Sequence, residues 1–133
     1  MVTERATVLL RVSLGVNVSV LIAVCTVLIA FGDSEPVIFA WGASTPGRGI
    51  LLSIYFAILV VSILLFWFHV QSGAHRAIVE HMAAALLVIQ ILYKITTPVT
   101  AGATNPVALS NLGVSVLHAI TLSLLWRRYR ARP

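Results

Sequence analysis

Histidine and glutamate side chains are the residues of this chain best suited to moving protons. One histidine, His118, lies inside a long apolar segment, whereas the other three lie close together in the sequence. Imidazole titrates near neutral pH, so a ladder from the surface histidines to His118 would be able to carry protons. Arg76 and Glu80 are four residues apart, a spacing at which opposite charges on one helix face pair. We predict an ionisable cluster of His69, His75, Arg76, Glu80 and His81.

The same histidines could in principle ligate a haem iron, which needs two nitrogens at similar depth on opposite sides of the metal. We expect His118 to lie roughly 12 Å from the nearer membrane boundary and His81 to lie ~5–10 Å closer to it. Haem b therefore stays an alternative that requires strong helix tilt or a ligand from a second chain. Cys25 is the only cysteine, which excludes an internal disulfide or a CxxC pair. No cofactor and no metal site is predicted.

Uncharged polar residues recur at helical intervals within the apolar segments. Residues seven apart on a helix differ by only about 20° in azimuth, so they share a face. The spacing places Tyr55, Ser62 and His69 on one such face. By the same spacing, Glu80, Leu87 and Lys94 share a second face. The candidate intramembrane polar site consists of Gln90, Asn111, Ser115 and His118. Our preferred interpretation is hydrogen bonding between helices, and the alternative is a narrow pathway for a proton or small solute.

The segments that carry these residues are too apolar for a soluble protein. The chain has 133 residues, 59% apolar and 10% charged, whereas soluble domains have about 25% charged residues. Four apolar segments, at residues 7–31, 46–70, 75–97 and 106–126, approach the ~20 residues that cross a bilayer as a helix. We predict one all-α integral membrane domain, a four-transmembrane-helix bundle with up-down-up-down topology. The first segment is too long for a typical signal peptide and is interpreted as a retained span.

Prolines mark the expected boundaries of the spans. Thr45–Pro46 and Asn105–Pro106 each place a capping side chain before a proline at the first helical position. Pro98 is expected to end the third span. The short apolar run at residues 37–41 should lie in the headgroup region, and a re-entrant loop is the alternative.

Charge asymmetry predicts the orientation. Two basic residues, Arg48 and Lys94, fall toward one side. Seven fall on the side of both termini, which the excess marks as cytoplasmic: Arg5, Arg11, Arg76, Arg127, Arg128, Arg130 and Arg132. The last four are expected to contact anionic lipid or a partner chain. The expected boundary anchors are Trp41, Tyr93, Lys94 and Trp126, with the Lys94 stem reaching toward the headgroups and Asp33 or Glu35 as its partner.

The short loops leave almost no extramembrane mass for a soluble active site. We therefore expect a small non-catalytic accessory subunit of the bacterial inner membrane, surrounded by lipid and packed against other membrane chains. The alternatives are a homo-oligomeric transporter or channel and, third, a membrane redox protein centred on His69, His81 and His118. We expect no nucleic-acid partner, because no recognition motif accompanies the net charge of +5.

Overall fold

The computed structural model describes residues 2–71, 73 and 75–131, with side chains from residue 4 onward. It contains five helices, which follow one another along the chain without intervening strands in the described residues. They are α1 (Val2–Ala30), α2 (Glu35–Trp41), α3 (Pro46–Gln71), α4 (Arg76–Ala101) and α5 (Pro106–Arg130). The four long helices have 25 to 29 residues, whereas α2 has seven.

The four long helices form a bundle in which consecutive members run in opposite directions. Helix α1 packs against α3 and α5, and α4 packs against α5 and α3, so the four helices close a ring. Each is long and apolar enough to cross a membrane. The predicted all-α four-helix architecture is confirmed.

The surface of the bundle is apolar and its interior is partly polar. Helix α3 buries Tyr55, Ser62 and His69 along one stripe, as their spacing predicts. Its opposite face exposes more than half of Trp67 and Phe68. A lipid environment accounts for this inverted pattern, because hydrocarbon solvates apolar side chains and forces polar groups to find partners inside.

The polar interior separates two apolar clusters. One cluster lies toward the start of α1 and includes Leu10, Leu14 and Leu87. The other lies toward the end of α1 and includes Leu21 and Leu59. The buried layer between them, in the middle of the bundle, is polar.

Three helix boundaries differ from the sequence-based expectations, one of them the end of α5, which lies at Arg130 and not at residue 126. Helix α1 begins at Val2, before the expected residue 7. Helix α4 continues past Pro98 to Ala101, so the prediction that this proline ends the span was wrong. Proline removes one hydrogen bond, but the hydroxyls of Thr96 and Thr97 donate to the Tyr93 carbonyl at 2.8 and 2.9 Å and tie the same turn together.

The apolar run at residues 37–41 forms most of α2, which lies over the end of the bundle where α1 stops. Val37 is the buried residue of α2. The Asn105 side chain accepts from the Val107 N–H at 2.8 Å and caps α5, as expected, while its Nδ2 donates to the Ala40 carbonyl at 3.0 Å. One side chain thus joins α2 to the start of α5.

Arg48 holds the connections on either side of α2. Its Nη1 donates to the carbonyls of Gly32 and Gly42 at 2.7 and 2.8 Å. Gly42 ends α2 with a φ of 82°, a left-handed conformation that a side chain would strain. The guanidinium also lies 3.7 Å from Asp33, whose side chain is 91% exposed.

Candidate functional site

Buried polar side chains occur at three depths in the bundle. We call the end that holds the start of α1 and the end of α5 the arginine-rich end. The central polar layer consists of Asn17, Ser62, Gln90 and His118, one from each long helix. The cavity around Lys94 beneath α2 is the α2-side cavity.

At the arginine-rich end, Glu80 and Arg128 form a buried ion pair. Their side chains are 1% and 4% exposed, and Arg128 Nη2 donates to Glu80 Oε2. The Tyr129 hydroxyl donates to the same oxygen at 3.3 Å, and Arg128 Nη1 donates to Thr7 Oγ1 at 3.4 Å. The expected pairing of Glu80 with Arg76 is therefore replaced by a pairing between α4 and α5.

Arg128 was expected to contact lipid or a partner chain, but its side chain is buried in the bundle. It lies seven residues after Thr121, which is also buried, so the helix turns both side chains into the bundle. Arg127 and Arg130 remain exposed, and Arg130 stacks over the exposed Trp126 ring at 5.0 Å. Arg132 lies outside the described residues.

His69 is fully buried beside this ion pair. Neither of its ring nitrogens has a hydrogen-bond partner among the described residues. Glu80, Arg11 and Arg128 are within electrostatic reach of the ring. A buried imidazole within electrostatic reach of a carboxylate and several guanidinium groups has the chemistry of a proton donor or acceptor.

The rest of the predicted ionisable cluster faces outward. His75, Arg76 and His81 are exposed. His81 stacks on Tyr129 with 4.7 Å between ring centroids, and its Nδ1 lies 2.6 Å from the Ala77 carbonyl. Within the described residues, no three histidine, cysteine or acidic side chains converge as metal ligands. The cluster is thus divided into a buried part, His69 with Glu80, and an exposed part.

The central polar layer lies between the two apolar clusters. His118 Nε2 and Asn17 Oδ1 are 3.1 Å apart, and both side chains are buried. Gln90 and Ser62 are fully buried. The antiparallel register places all four side chains within about one helical turn of the same depth, or ~5.4 Å. Next to this layer, Ser13 and Thr121 share a hydroxyl hydrogen bond of 2.7 Å.

Most polar side-chain atoms of the central polar layer have no hydrogen-bond partner within the described protein. In the described part of the chain, this holds for Asn17 Nδ2, Ser62 Oγ, His118 Nδ1 and both amide atoms of Gln90. Buried polar atoms are almost always hydrogen-bonded to protein or to ordered water. This layer therefore has free donors and acceptors contributed by four different helices.

The predicted intramembrane site is divided between two depths. Gln90 and His118 belong to the central polar layer. Asn111 lies about two turns nearer to α2, where its Oδ1 is 3.5 Å from Lys94 Nζ and its Nδ2 donates to Thr97 at 3.1 Å. Ser115 lies between them and donates to the Asn111 carbonyl at 2.9 Å.

The Lys94 side chain points into the bundle, whereas the sequence predicted that it would reach the headgroups and anchor the helix at the membrane boundary. Its residue is 3% exposed, and its ammonium donates to the Tyr93 hydroxyl at 2.6 Å. Asp33 pairs with Arg48 instead, and Glu35 is exposed. Of the other expected anchors, Trp126 is 59% exposed, whereas Trp41 and Tyr93 are half-buried.

The α2-side cavity lies next to Lys94 and has a volume of about 340 Å³. Trp41, Tyr55 and Tyr93 contribute aromatic walls, and Asn111 contributes an amide. A second cavity of about 550 Å³ adjoins it and shares all three aromatic residues. Sequence reasoning missed this cavity, because the apolar residues 37–41 gave no sign that α2 would fold over the bundle.

Comparisons with known proteins found no relative of this chain. No protein-family model matches the chain, and neither curated proteins nor solved structures gave a match.

Proposed function

We propose that this membrane protein transports a small polar solute or protons through the interior of its bundle. The observation that carries the proposal is the central polar layer, with unpartnered buried atoms on all four long helices. A purely structural role would be served by side chains that satisfy one another, as Ser13 and Thr121 do.

Buried polar groups on both sides of this layer support a path along the bundle axis. Asn111 and Lys94 lie toward α2, and His69 with Glu80 lies toward the arginine-rich end. Water or a solute that bonds to the free atoms of the layer would connect these two regions. Four helices rarely enclose a pore alone, so we also propose a homo-oligomer.

Proton flux into liposomes tests the proposal directly. Purified protein is reconstituted with a pH-sensitive dye inside the vesicles, and a pH gradient is applied. We expect wild-type protein to dissipate the gradient and His118→Leu to abolish this flux. His81→Leu removes an exposed histidine and is the matched control, so its flux should be unchanged. Wild-type flux no higher than that of empty vesicles, or undiminished flux in His118→Leu, would contradict a proton path.

A second candidate function is the accessory subunit favoured by the sequence. Its support is the broad apolar face of α3, where Phe56, Trp67 and Phe68 are each more than half exposed. Such a face can pack against another membrane chain as well as against lipid. Purification in mild detergent separates the candidates, because an accessory subunit should co-purify stoichiometrically with a larger chain.

For the location we propose the bacterial inner membrane with both ends of the chain in the cytoplasm. The support is the excess of arginine at the arginine-rich end, opposite Arg48 and Lys94. Cysteine labelling at Ser44 and at Arg130 from outside intact cells would test this orientation, since only a residue 44 thiol should react.

A further inference from the structure

We infer that the α2-side cavity binds a small amphipathic carboxylate, with Lys94 as the group that recognises its negative charge. Lys94 and Asn111 also belong to the proposed path through the bundle, but carboxylate binding in the cavity does not require that the bundle conducts solute or protons.

The first support is the uncompensated charge of Lys94. The chain has four acidic residues, and none of them forms an ion pair with Lys94 in the described structure. Glu4 lies in the first turn of α1, at the arginine-rich end. Glu80 pairs with Arg128, Asp33 pairs with Arg48, and Glu35 is exposed at the start of α2. Burying a cation without an anion is costly, so an anionic ligand at this position would offset that cost.

The second support is the surplus of hydrogen-bond donors at the cavity wall. An ammonium group has three N–H donors, of which two point to Tyr93 Oη and Asn111 Oδ1. The Tyr93 hydroxyl accepts one of these bonds and can still donate its own hydrogen. Tyr55 contributes another hydroxyl to the wall, and no carboxylate lines the cavity in the described residues. This wall is suited to an anion and would repel a cation.

The third support is the size and apolar character of the remaining wall. A volume of about 340 Å³ is near the lower end of small-molecule sites, which run from roughly 300 to 1,000 Å³. Val20, Leu21 and Trp41 give the wall its apolar part. A ligand with one carboxylate and a compact apolar body matches both parts. A whole phospholipid is too large for this cavity, although its phosphate has the same charge.

Benzoate is a suitable probe because it is soluble, compact and anionic, and benzamide is its neutral counterpart. The full chain is titrated with each compound in a neutral detergent by calorimetry. We expect saturable benzoate binding and at least about tenfold weaker benzamide binding, the factor that a hydrogen bond to a charged group supplies. Equal affinity for the two compounds, or no benzoate binding, would overturn the inference.

Variants locate the binding site within the chain. Lys94→Met keeps the length and apolar stem of the side chain and removes its charge, so benzoate affinity should fall at least about tenfold. Arg127→Met removes an exposed cation at the other end of the bundle and should bind benzoate as wild type does. Unchanged benzoate binding in Lys94→Met would contradict the proposed site. If Lys94→Met does not fold, Val20→Phe narrows the cavity with Lys94 in place and should weaken binding, and full benzoate affinity there would also contradict it.

A lipid headgroup is the other source of the same negative charge. Native mass spectrometry of protein in micelles doped with phosphatidylglycerol or phosphatidylcholine distinguishes the sources. Phosphatidylglycerol that stays bound in a Lys94-dependent manner, together with no benzoate binding, would replace the carboxylate with a phospholipid and overturn the inference. Benzoate binding that persists in both lipid mixtures supports it.

Discussion

The buried ion pair between Glu80 and Arg128 gives a sharp prediction about stability. In Glu80→Leu, the Arg128 guanidinium would keep its 3.4 Å contact to Thr7 and its position 5.2 Å from the Tyr129 ring centroid, but it would lose its anionic partner and stay buried. Breaking a buried pair by removing one partner costs about 3–5 kcal/mol in soluble proteins. We expect a loss near the lower value, about 3 kcal/mol, because chains unfolded within a membrane find other polar partners. This corresponds to a change of roughly 150-fold in the unfolding equilibrium.

The double variant distinguishes a buried charge from lost packing. Glu80→Leu combined with Arg128→Met removes both charges and leaves apolar side chains in their place. Replacing a buried pair by apolar residues is often neutral or stabilising, so the double variant should be more stable than either single variant. The free energy of unfolding is measured by reversible titration of lipid–detergent bicelles with a denaturing detergent, followed by circular dichroism.

The ion pair of Asp33 with Arg48 on the α2 side is the matched control. Asp33→Asn should cost about 1 kcal/mol or less, since the Asp33 carboxylate is 91% exposed and water screens its charge. A cost of Glu80→Leu no larger than that of Asp33→Asn would contradict a buried ion pair, and so would losses of the two single variants that add up in the double variant.

Three further predictions concern individual hydrogen bonds and close contacts. Ser13→Ala removes the 2.7 Å hydrogen bond to the Thr121 hydroxyl of α5. The free energy of unfolding should fall by about 0.6 kcal/mol in the same titration. A loss above 2 kcal/mol, on the order of the largest such hydrogen bonds, would contradict this expectation. Arg48→Met removes two hydrogen bonds, of 2.7 and 2.8 Å, to the backbone carbonyls of Gly32 and Gly42. Amide hydrogen exchange in residues 32–48 should therefore accelerate far more than it does in Asp33→Asn. Equal exchange rates in the two variants would contradict this role of Arg48. In Gly32→Ala the new Cβ would lie 2.8 Å from a carbonyl oxygen of α1, which should cost about 1–3 kcal/mol. Gly49→Ala meets nothing within 4 Å and is its control, so equal thermal stability of the two alanine variants would refute the clash.

The lengths of the apolar segments and the spacing of the polar residues within them were enough to predict the bundle and the inward faces of its helices. Ser62 and His118 are buried as the seven-residue spacing requires. Spacing determines the face on which a residue lies, because the helical period is fixed. It does not determine which neighbouring helix supplies the partner, so the pairing of Glu80 with α5 and of His118 with α1 required the structure.

Two cations, Lys94 and Arg128, point in a different direction from the one that the sequence predicted. Lys94 and Arg128 lie near the ends of their helices, a position at which charged side chains usually extend to the headgroups. Both instead turn inward, Arg128 because Glu80 lies opposite it and Lys94 toward Asn111 and Tyr93. Near a helix end the choice between lipid headgroup and protein depends on a tertiary partner. The heptad relation between Thr121 and Arg128 was the available signal.

Asn105 restricts which residues can occupy its position. Its side-chain oxygen accepts a hydrogen bond that caps α5, and its side-chain nitrogen donates one to the Ala40 carbonyl of α2. The two polar atoms of the amide therefore stabilise different helices. Asn105→Asp would keep the acceptor and lose the donor, and would place two oxygens against each other. A substitution that is conservative for helix capping is therefore disruptive for α2, and homologous chains that retain α2 in this position should tolerate few residues other than asparagine here.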